Sequence, residues 1–341
     1  MTQPSLMARE IDEIPDAVRR FLSGSGAAVE AAGRRLAALS PAVVATVARG
    51  SSDHAATYFQ YAAEIVTGRP VASLGPSVVS VYGARLRLEG QAALAISQSG
   101  QSPDIVALLR AARTGGAETI AIVNAEGSPL LEAAHWQVPL EAGPERSVAA
   151  TKSFVTSVVA ALALVAAWSG DEELARALAD LPGHLTEALE QDWTPALETV
   201  AGARSLYALG RGPGFAVASE TALKLKETSM LHAEAYSGAE VLHGPVSLVE
   251  AGFPVLAFVP DDAARPGLTE IARRVSASGA ALFTVGEAGV GTRLPHAATG
   301  HPLTEPLSML VSFYRFVESV ARTRGLDPDA PRGLRKVTQT L

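Results

Sequence analysis

The stretch Ile96-Ser97-Gln98-Ser99-Gly100-Gln101-Ser102-Pro103-Asp104 is the densest set of anion-gripping groups in the chain. An apolar run ends there, hydroxyls and a glycine follow, and Pro103 suits the first turn of a helix. Free backbone N–H groups and the dipole at a helix start bind phosphate, and serine hydroxyls add donors. Three serines and a glutamine exceed what capping one helix needs, so the spacing predicts a phosphate-binding turn; an N-cap with a tight turn is the plainer alternative. Arg49-Gly50-Ser51-Ser52-Asp53-His54 is a second turn with hydroxyls, where glycine lets backbone approach a ligand closely. A simple N-cap at Ser52 or Asp53 explains it equally well, and His54 falls inside the following helix.

A second set of residues is titratable. The segment Ser219–His232 reads as a helix with Glu220, Lys224 and Glu227 at i, i+4 and i+7, on one face. A solvated, salt-bridged stripe is the usual meaning of such spacing. Against that, the other residues are apolar, and the helix follows a Gly210-Arg211-Gly212 turn that should sit at the ligand end of a sheet. Shortly after, Glu240-Val241-Leu242-His243-Gly244-Pro245 puts His243 before a Gly-Pro break. A loop histidine beside a glutamate-bearing helix can serve as an acid–base pair.

Apolar runs alternating with helical patterns predict the elements that position these groups: parallel βαβ units. Val43–Ala48, Ala92–Ser97 and Thr119–Val123 read as strands covered on both faces, and 53–66 and 103–113 as helices. The plan recurs at one constant offset. Arg49-Gly50 returns as Arg211-Gly212, Ala93–Ile96 as Val255–Phe258, and the strand at Thr119 as the strand at Ala281. The expected fold is therefore α/β, with two doubly wound parallel-sheet halves made by internal duplication. The second-half loop Val259-Pro260-Asp261-Asp262 carries two acids that would repel phosphate, so one phosphate site per chain is expected, in the first half. The predicted organisation is a helical leader (1–30), a first domain (31–170), a helical connection (171–199) interrupted at Pro195, a second domain (200–326), and a C-terminal arm (327–341) too rich in Pro and Gly for a helix.

Composition narrows the function. The chain has 341 residues, 48% hydrophobic and 18% charged, which suits packed globular domains. A net charge of −7 without a Lys/Arg run argues against a nucleic-acid partner. With no cysteine, disulfides, thiolate metal sites and a cysteine nucleophile are excluded within these residues. No metal-binding His/Asp/Glu cluster stands out. The N-terminus reads as an amphipathic helix rather than a signal peptide, and the most apolar stretch, 155–168, is short for a bilayer span. The expectation is a cytoplasmic protein with no membrane partner.

Taken together, the chain resembles the sugar isomerase (SIS) domain family. Within it, the likeness is to the isomerase part of glucosamine-6-phosphate synthase and to stand-alone amino-sugar-phosphate deaminases. It is carried by Gly50-Ser51-Ser52, Ser97-Gln98-Ser99-Gly100, 148–154 (VAATKSF), 222–227 (ALKLKE), 232–236 (HAEAY), His243-Gly244-Pro245 and 331–336 (PRGLRK), and covers nearly the whole chain. The resemblance implies that Ser97, Gln98, Ser99 and Ser102 hold a sugar phosphate, with Ser52 nearby. Ser51 and the backbone near Val148 would touch the sugar. Glu227 would move a proton between C1 and C2. His243, reaching from a neighbouring subunit of a homodimer with a shared active site, would open the ring. Lys336 in the arm would engage the open-chain carbonyl, and Glu220 and Lys224 would support the site. Departures are Ala150 for the family's serine, Ser102 for its threonine and Gln101 for its glutamate.

The implied activity is deamination of glucosamine 6-phosphate to fructose 6-phosphate and ammonia, without cofactor and without glutamine as nitrogen donor. Rival readings are a fructosamine-6-phosphate deglycase, a galactosamine-6-phosphate deaminase, another phosphosugar isomerase, or a non-enzymatic sugar-phosphate sensor. The sensor reading predicts a fused DNA-binding helix-turn-helix or loss of Glu227, His243 and Lys336. All three residues are present, and the leader before Ala42 is short.

Overall fold

The computed structural model describes residues 3–334 and Lys336. Three helices open the chain: α1 (Leu6–Asp12), α2 (Ile14–Gly24) and α3 (Gly26–Leu39). The first sheet follows, as β1 (Val44–Val47), α4 (Ser51–Thr67), β2 (Val71–Ser73), α5 (Ser77–Ser80), β3 (Ala92–Ser97), α6 (Pro103–Thr114), β4 (Glu118–Val123), α7 (Pro129–Ala133) and β5 (Trp136–Pro139). Then come α8 (Lys152–Ser169), α9 (Glu172–Ala188) and α10 (Thr194–Gly202). The second sheet runs β6 (Ser205–Gly210), α11 (Pro213–Ser229), β7 (His232–Ser237), β8 (Pro254–Val259), α12 (Arg265–Ala277), β9 (Ala281–Gly286), β10 (Thr292–Leu294) and α13 (Glu305–Thr323).

Two compact units result. Among the described residues, the first comprises 14–145, 152–179 and Lys336, and the second 3–13, 146–151 and 180–334. In the first, five parallel strands take the order β2-β1-β3-β4-β5. β1 and β3 are buried almost throughout, as runs such as Ala92–Ile96 require when helices cover both faces. Ala45, Val47, Ala93, Ala95, Ala121 and Val123 face α6 and α7, and Leu108, Leu109 and Leu130 fill that layer. Across the sheet, α8 packs against α2, α3 and α4. Small side chains permit close approach: a β-carbon on Gly33 would meet Ala167 at 2.5 Å.

α8 is the one described helix long and apolar enough to cross a membrane, and 83% of its apolar window is buried. Its 18 residues exceed the 155–168 stretch, so shortness is not what separates it from a span. Its neighbours α2, α3 and α4 already cover it, as in a core helix.

The second unit repeats the plan, with parallel order β10-β9-β8-β6-β7. Tyr207, Leu209, Val255 and Ala257 pack with Leu268 and Val275 of α12. On α13, Leu307, Leu310, Phe313, Tyr314 and Val317 are fully buried. α4 and α11 have the same length, 17 residues each. The interval from the start of α4 at Ser51 to that of α11 at Pro213 equals the interval from Ala92 of β3 to Pro254 of β8. The start of β9 at Ala281 comes a single position later than that interval would place it after Glu118 of β4. Gly50 and Gly212, which cap the paired helices, have φ/ψ of 55/−135° and 58/−135°. Only glycine adopts that conformation readily, so the duplication extends to the backbone of the turn.

Three expectations change. Pro195 does not interrupt a helix but lies in the first turn of α10, where its missing N–H costs nothing. The helix read as 219–232 ends at Ser229: Met230 turns left-handed, and His232 opens β7. The leader is three short helices rather than one.

Candidate active site

In the first unit the chain leaves β1 for β2 on one side and for β3 on the other. Loops at the carboxyl ends of β1 and β3 therefore part at the switch point, where open α/β sheets bind ligands. Ser51 and Ser52 lie in the loop after β1 and the first turn of α4; Ser97, Gln98, Ser99 and Ser102 lie after β3, before α6. All six therefore lie at the carboxyl ends of two adjacent strands, at this switch point.

The β3 loop is held by its own backbone. The carbonyls of Ser97, Gln98 and Gly100 accept from Asn124, Ala125 and Leu130 N–H groups. Ser97 Oγ accepts from Gly100 N at 2.9 Å, and Ser99 Oγ from Gln101 N at 3.4 Å. Gly100 has φ 62°, and a β-carbon there would fall 2.3 Å from Ser128 Oγ. Ser102 is the N-cap of α6, yet its hydroxyl makes no capping bond. A donor at a helix start that is not spent on the helix suits an incoming anion. Neither Ser52 nor Asp53 caps α4, because the N-cap is Gly50. Burial raises the Asp53 carboxyl above its ordinary value, while His54 and Arg49 oppose the shift.

Next to these loops, Arg49 donates through Nε to Asp104 Oδ2 at 2.7 Å, with Nη2 at the same distance. Elsewhere in the unit the buried carboxylate of Glu145 accepts from Ser153 N at 3.1 Å and from Ser153 Oγ. Lys336 Nζ lies 3.5 Å from Glu145 Oε2. Sequence reasoning gives no role to Arg49 or Glu145. The first flanks Gly50 and the second stands shortly before Val148, so adjacency to the motifs is the one signal that points to them.

In the second unit, α11 carries Glu220, Lys224 and Glu227 on one face. Lys224 Nζ is 2.5 Å from Glu227 Oε2 and 3.2 Å from Glu220 Oε1. Lys224 and Glu220 are wholly buried, whereas the Glu227 side chain remains 21% exposed. Tyr314 Oη donates to Glu220 Oε1 at 3.4 Å. Burial works against the charge on Lys224, but Glu220 and Glu227 outweigh it and hold its pKa above the ordinary lysine value. The stripe is an internal ion triad with one partly open end, not a solvated face. Lys224 fixes one Glu227 oxygen and leaves the carboxylate partly open, so it can meet a ligand in a defined orientation.

Val148 lies in the 146–151 segment, whose Arg146 and Ser147 N–H groups donate to Glu10. His243 is exposed, closing a short 3₁₀ turn (Glu240–Leu242) ahead of Gly244, whose φ is 137°.

The SIS domain signature matches residues 43–167 and 199–285, spanning both βαβ halves. The chain belongs to the SIS domain family. One SIS relative, the glutamine–fructose-6-phosphate aminotransferase of Symbiobacterium thermophilum, is 35% identical over 97% of this chain, which spans 58% of that protein's length. A crystal structure from Silicibacter pomeroyi DSS-3, described as a candidate phosphosugar isomerase, is 52% identical. It superposes with a TM-score of 0.92 over 96% of this chain and all of that one. The glucosamine-6-phosphate deaminase of Thermotoga maritima superposes at 0.78 with 21% identity, covering 98% of this chain and 100% of its own; this shows the shared SIS fold alone.

Proposed function

We propose that this SIS chain is a phosphosugar isomerase acting on an amino sugar phosphate, specifically a glucosamine-6-phosphate deaminase. The observation that carries the reading is Glu227, a carboxylate with one oxygen on the buried Lys224 ammonium and an exposed remainder. Aldose–ketose chemistry needs one base able to take a proton from C2 and return it at C1. In this reading Ser97, Gln98, Ser99 and Ser102 hold the phosphate through hydroxyl, amide and helix-start donors, with Ser52 beside them. Ser51 and the Val148 backbone touch the sugar.

His243, from the partner in a homodimer, moves a proton between the ring oxygen and the C1 hydroxyl to open the ring. Lys336 engages the C1 carbonyl. Glu227 then removes the C2 proton, giving an enolamine, and returns it to C1, leaving an imine at C2. Water adds to that imine and ammonia departs, so glucosamine 6-phosphate and water yield fructose 6-phosphate and ammonia. The substrate's own C1 carbonyl accepts the electron pair released from C2, so the steps call on no added cofactor. The SIS relative named a glutamine–fructose-6-phosphate aminotransferase acts on fructose 6-phosphate by its name, which supports the substrate class.

Ammonia release measured over glucosamine, galactosamine and fructosamine 6-phosphates, with hexose interconversion followed in parallel, tests the reading. Release from glucosamine 6-phosphate is expected. Release only from another amine would reassign the substrate, interconversion without ammonia would make it a plain isomerase, and binding without turnover would make it a sensor.

A further inference from the structure

Two helices start at the carboxyl ends of β1 and β3, at the switch point, and each carries a carboxylate in its first turn: Asp53 on α4 and Asp104 on α6. A helix start attracts an anion, but a nearby carboxylate offsets that attraction. Arg49 stands between them. Its Nε and Nη2 both reach Asp104 Oδ2, while Asp104 Oδ1 accepts from Ile105 N at 2.9 Å. Asp104 is 1% exposed, yet the arginine side chain is 47% exposed, so the carboxylate anchors a guanidinium whose outer edge remains open. Arg49 also acts on the Asp53 carboxyl of its own turn.

The duplication argues that this pair is not needed to build the turn. Arg211 is the second-half counterpart of Arg49, beside a glycine of the same backbone conformation, but at the same offset the counterpart of Asp104 is Pro266. The turn therefore forms without an acid to seat its arginine. The arginine is seated only in the half whose β3-type loop bears serines rather than Asp261 and Asp262. A planar guanidinium offers paired donors matched to phosphate oxygens, so an arginine fixed on one edge is preorganised to bind on the other.

We propose that Arg49, seated on Asp104, is a specificity-determining residue that makes this switch-point site prefer a phosphate dianion over a singly charged anion of the same shape. The inference rests on the phosphate-loop reading above. Its test compares two unreactive polyols lacking a carbonyl, sorbitol 6-phosphate and sorbitol 6-sulfate, by calorimetry at one neutral pH. A phosphate monoester is close to doubly charged there and a sulfate ester singly charged.

Wild type should bind the phosphate at least about tenfold more tightly, the scale of one charge-assisted interaction. Arg49→Gln should bring the two within about twofold, and Arg49→Lys, which keeps the charge, should retain most of the preference. Should Arg49→Gln fail to fold with Asp104 unpaired, Arg49→Gln with Asp104→Asn supplies a neutral pair of the same shape and should lack the preference too. A wild-type preference in whichever of these variants folds overturns the inference while leaving the phosphate loop in place. Wild type that binds neither ester overturns the phosphate-loop reading and the inference with it.

Discussion

Each candidate residue differs in what it could lose without harm to the fold. Ser99 and Ser102 sit in a loop fixed by backbone bonds, and Ser102 makes no capping bond to α6. Ser99→Ala with Ser102→Ala should leave thermal stability nearly unchanged and raise KM at least about tenfold with a smaller change in kcat, since each donor to an anion contributes about 1.5–3 kcal/mol. An unchanged KM would make the loop a plain turn. Glu227→Gln keeps the side chain's shape and its place beside Lys224 but cannot accept the C2 proton. A loss of about 10²–10⁴ in kcat is expected, along with loss of deuterium exchange at C1 of fructose 6-phosphate. Exchange that persists would assign the base elsewhere.

At the scale of elements, α11 is held by charge inside an apolar shell. Lys224 is enclosed with Glu220 and Glu227, and both acids lean on its one ammonium. Lys224→Met would remove that shared cation from buried carboxylates, a destabilisation of about 3–5 kcal/mol at neutral pH by analogy with other broken buried pairs. The folded-state pKa of Lys224 is raised, so its stabilising contribution is complete below the ordinary value of 10.5 and is lost as pH rises through the higher folded value. Urea unfolding should therefore show the gap between wild type and Lys224→Met narrowing only above pH 10.5. A gap already gone at neutral pH would mean that the triad contributes nothing net.

On the scale of the whole molecule, one active site would be divided between two chains. Glu227 would serve its own chain's site and His243, exposed here, the partner's. Glu227→Gln and His243→Ala should each be nearly inactive alone. Mixed in equal amounts, unfolded and refolded, they should recover about a quarter of wild-type activity. Half the dimers are then mixed, and one of the two sites in each is free of lesions. Recovery no greater than the parents, with mixed dimers confirmed by mass spectrometry, would place both residues in one chain's site or remove His243 from catalysis.

Much of this is legible in the amino-acid order because it depends on local chemistry. The apolar runs of β3 and β4, the proline at the start of α6, and the second-half echo of the Arg-Gly turn need only neighbouring residues to be recognised, and β3 lies where the run predicts. The short edge strands β2 and β5 escape such reading: three or four residues of mixed polarity become strands only when β1 and β4 offer them hydrogen bonds. The i, i+4, i+7 spacing puts Glu220, Lys224 and Glu227 on one face, but spacing cannot tell a wet face from a dry one. The packing of α11 against α13, which brings Tyr314 to Glu220, is what excludes water and turns the stripe into a buried triad. Likewise Arg49 and Asp104 are far apart in sequence, and only the adjacency of β1 and β3 in the sheet brings guanidinium and carboxylate together. Residue types and periods therefore determined the elements and the catalogue of chemical groups. Charge state, exposure and partnership were decided by tertiary structure, because they depend on which distant segments exclude solvent around each group.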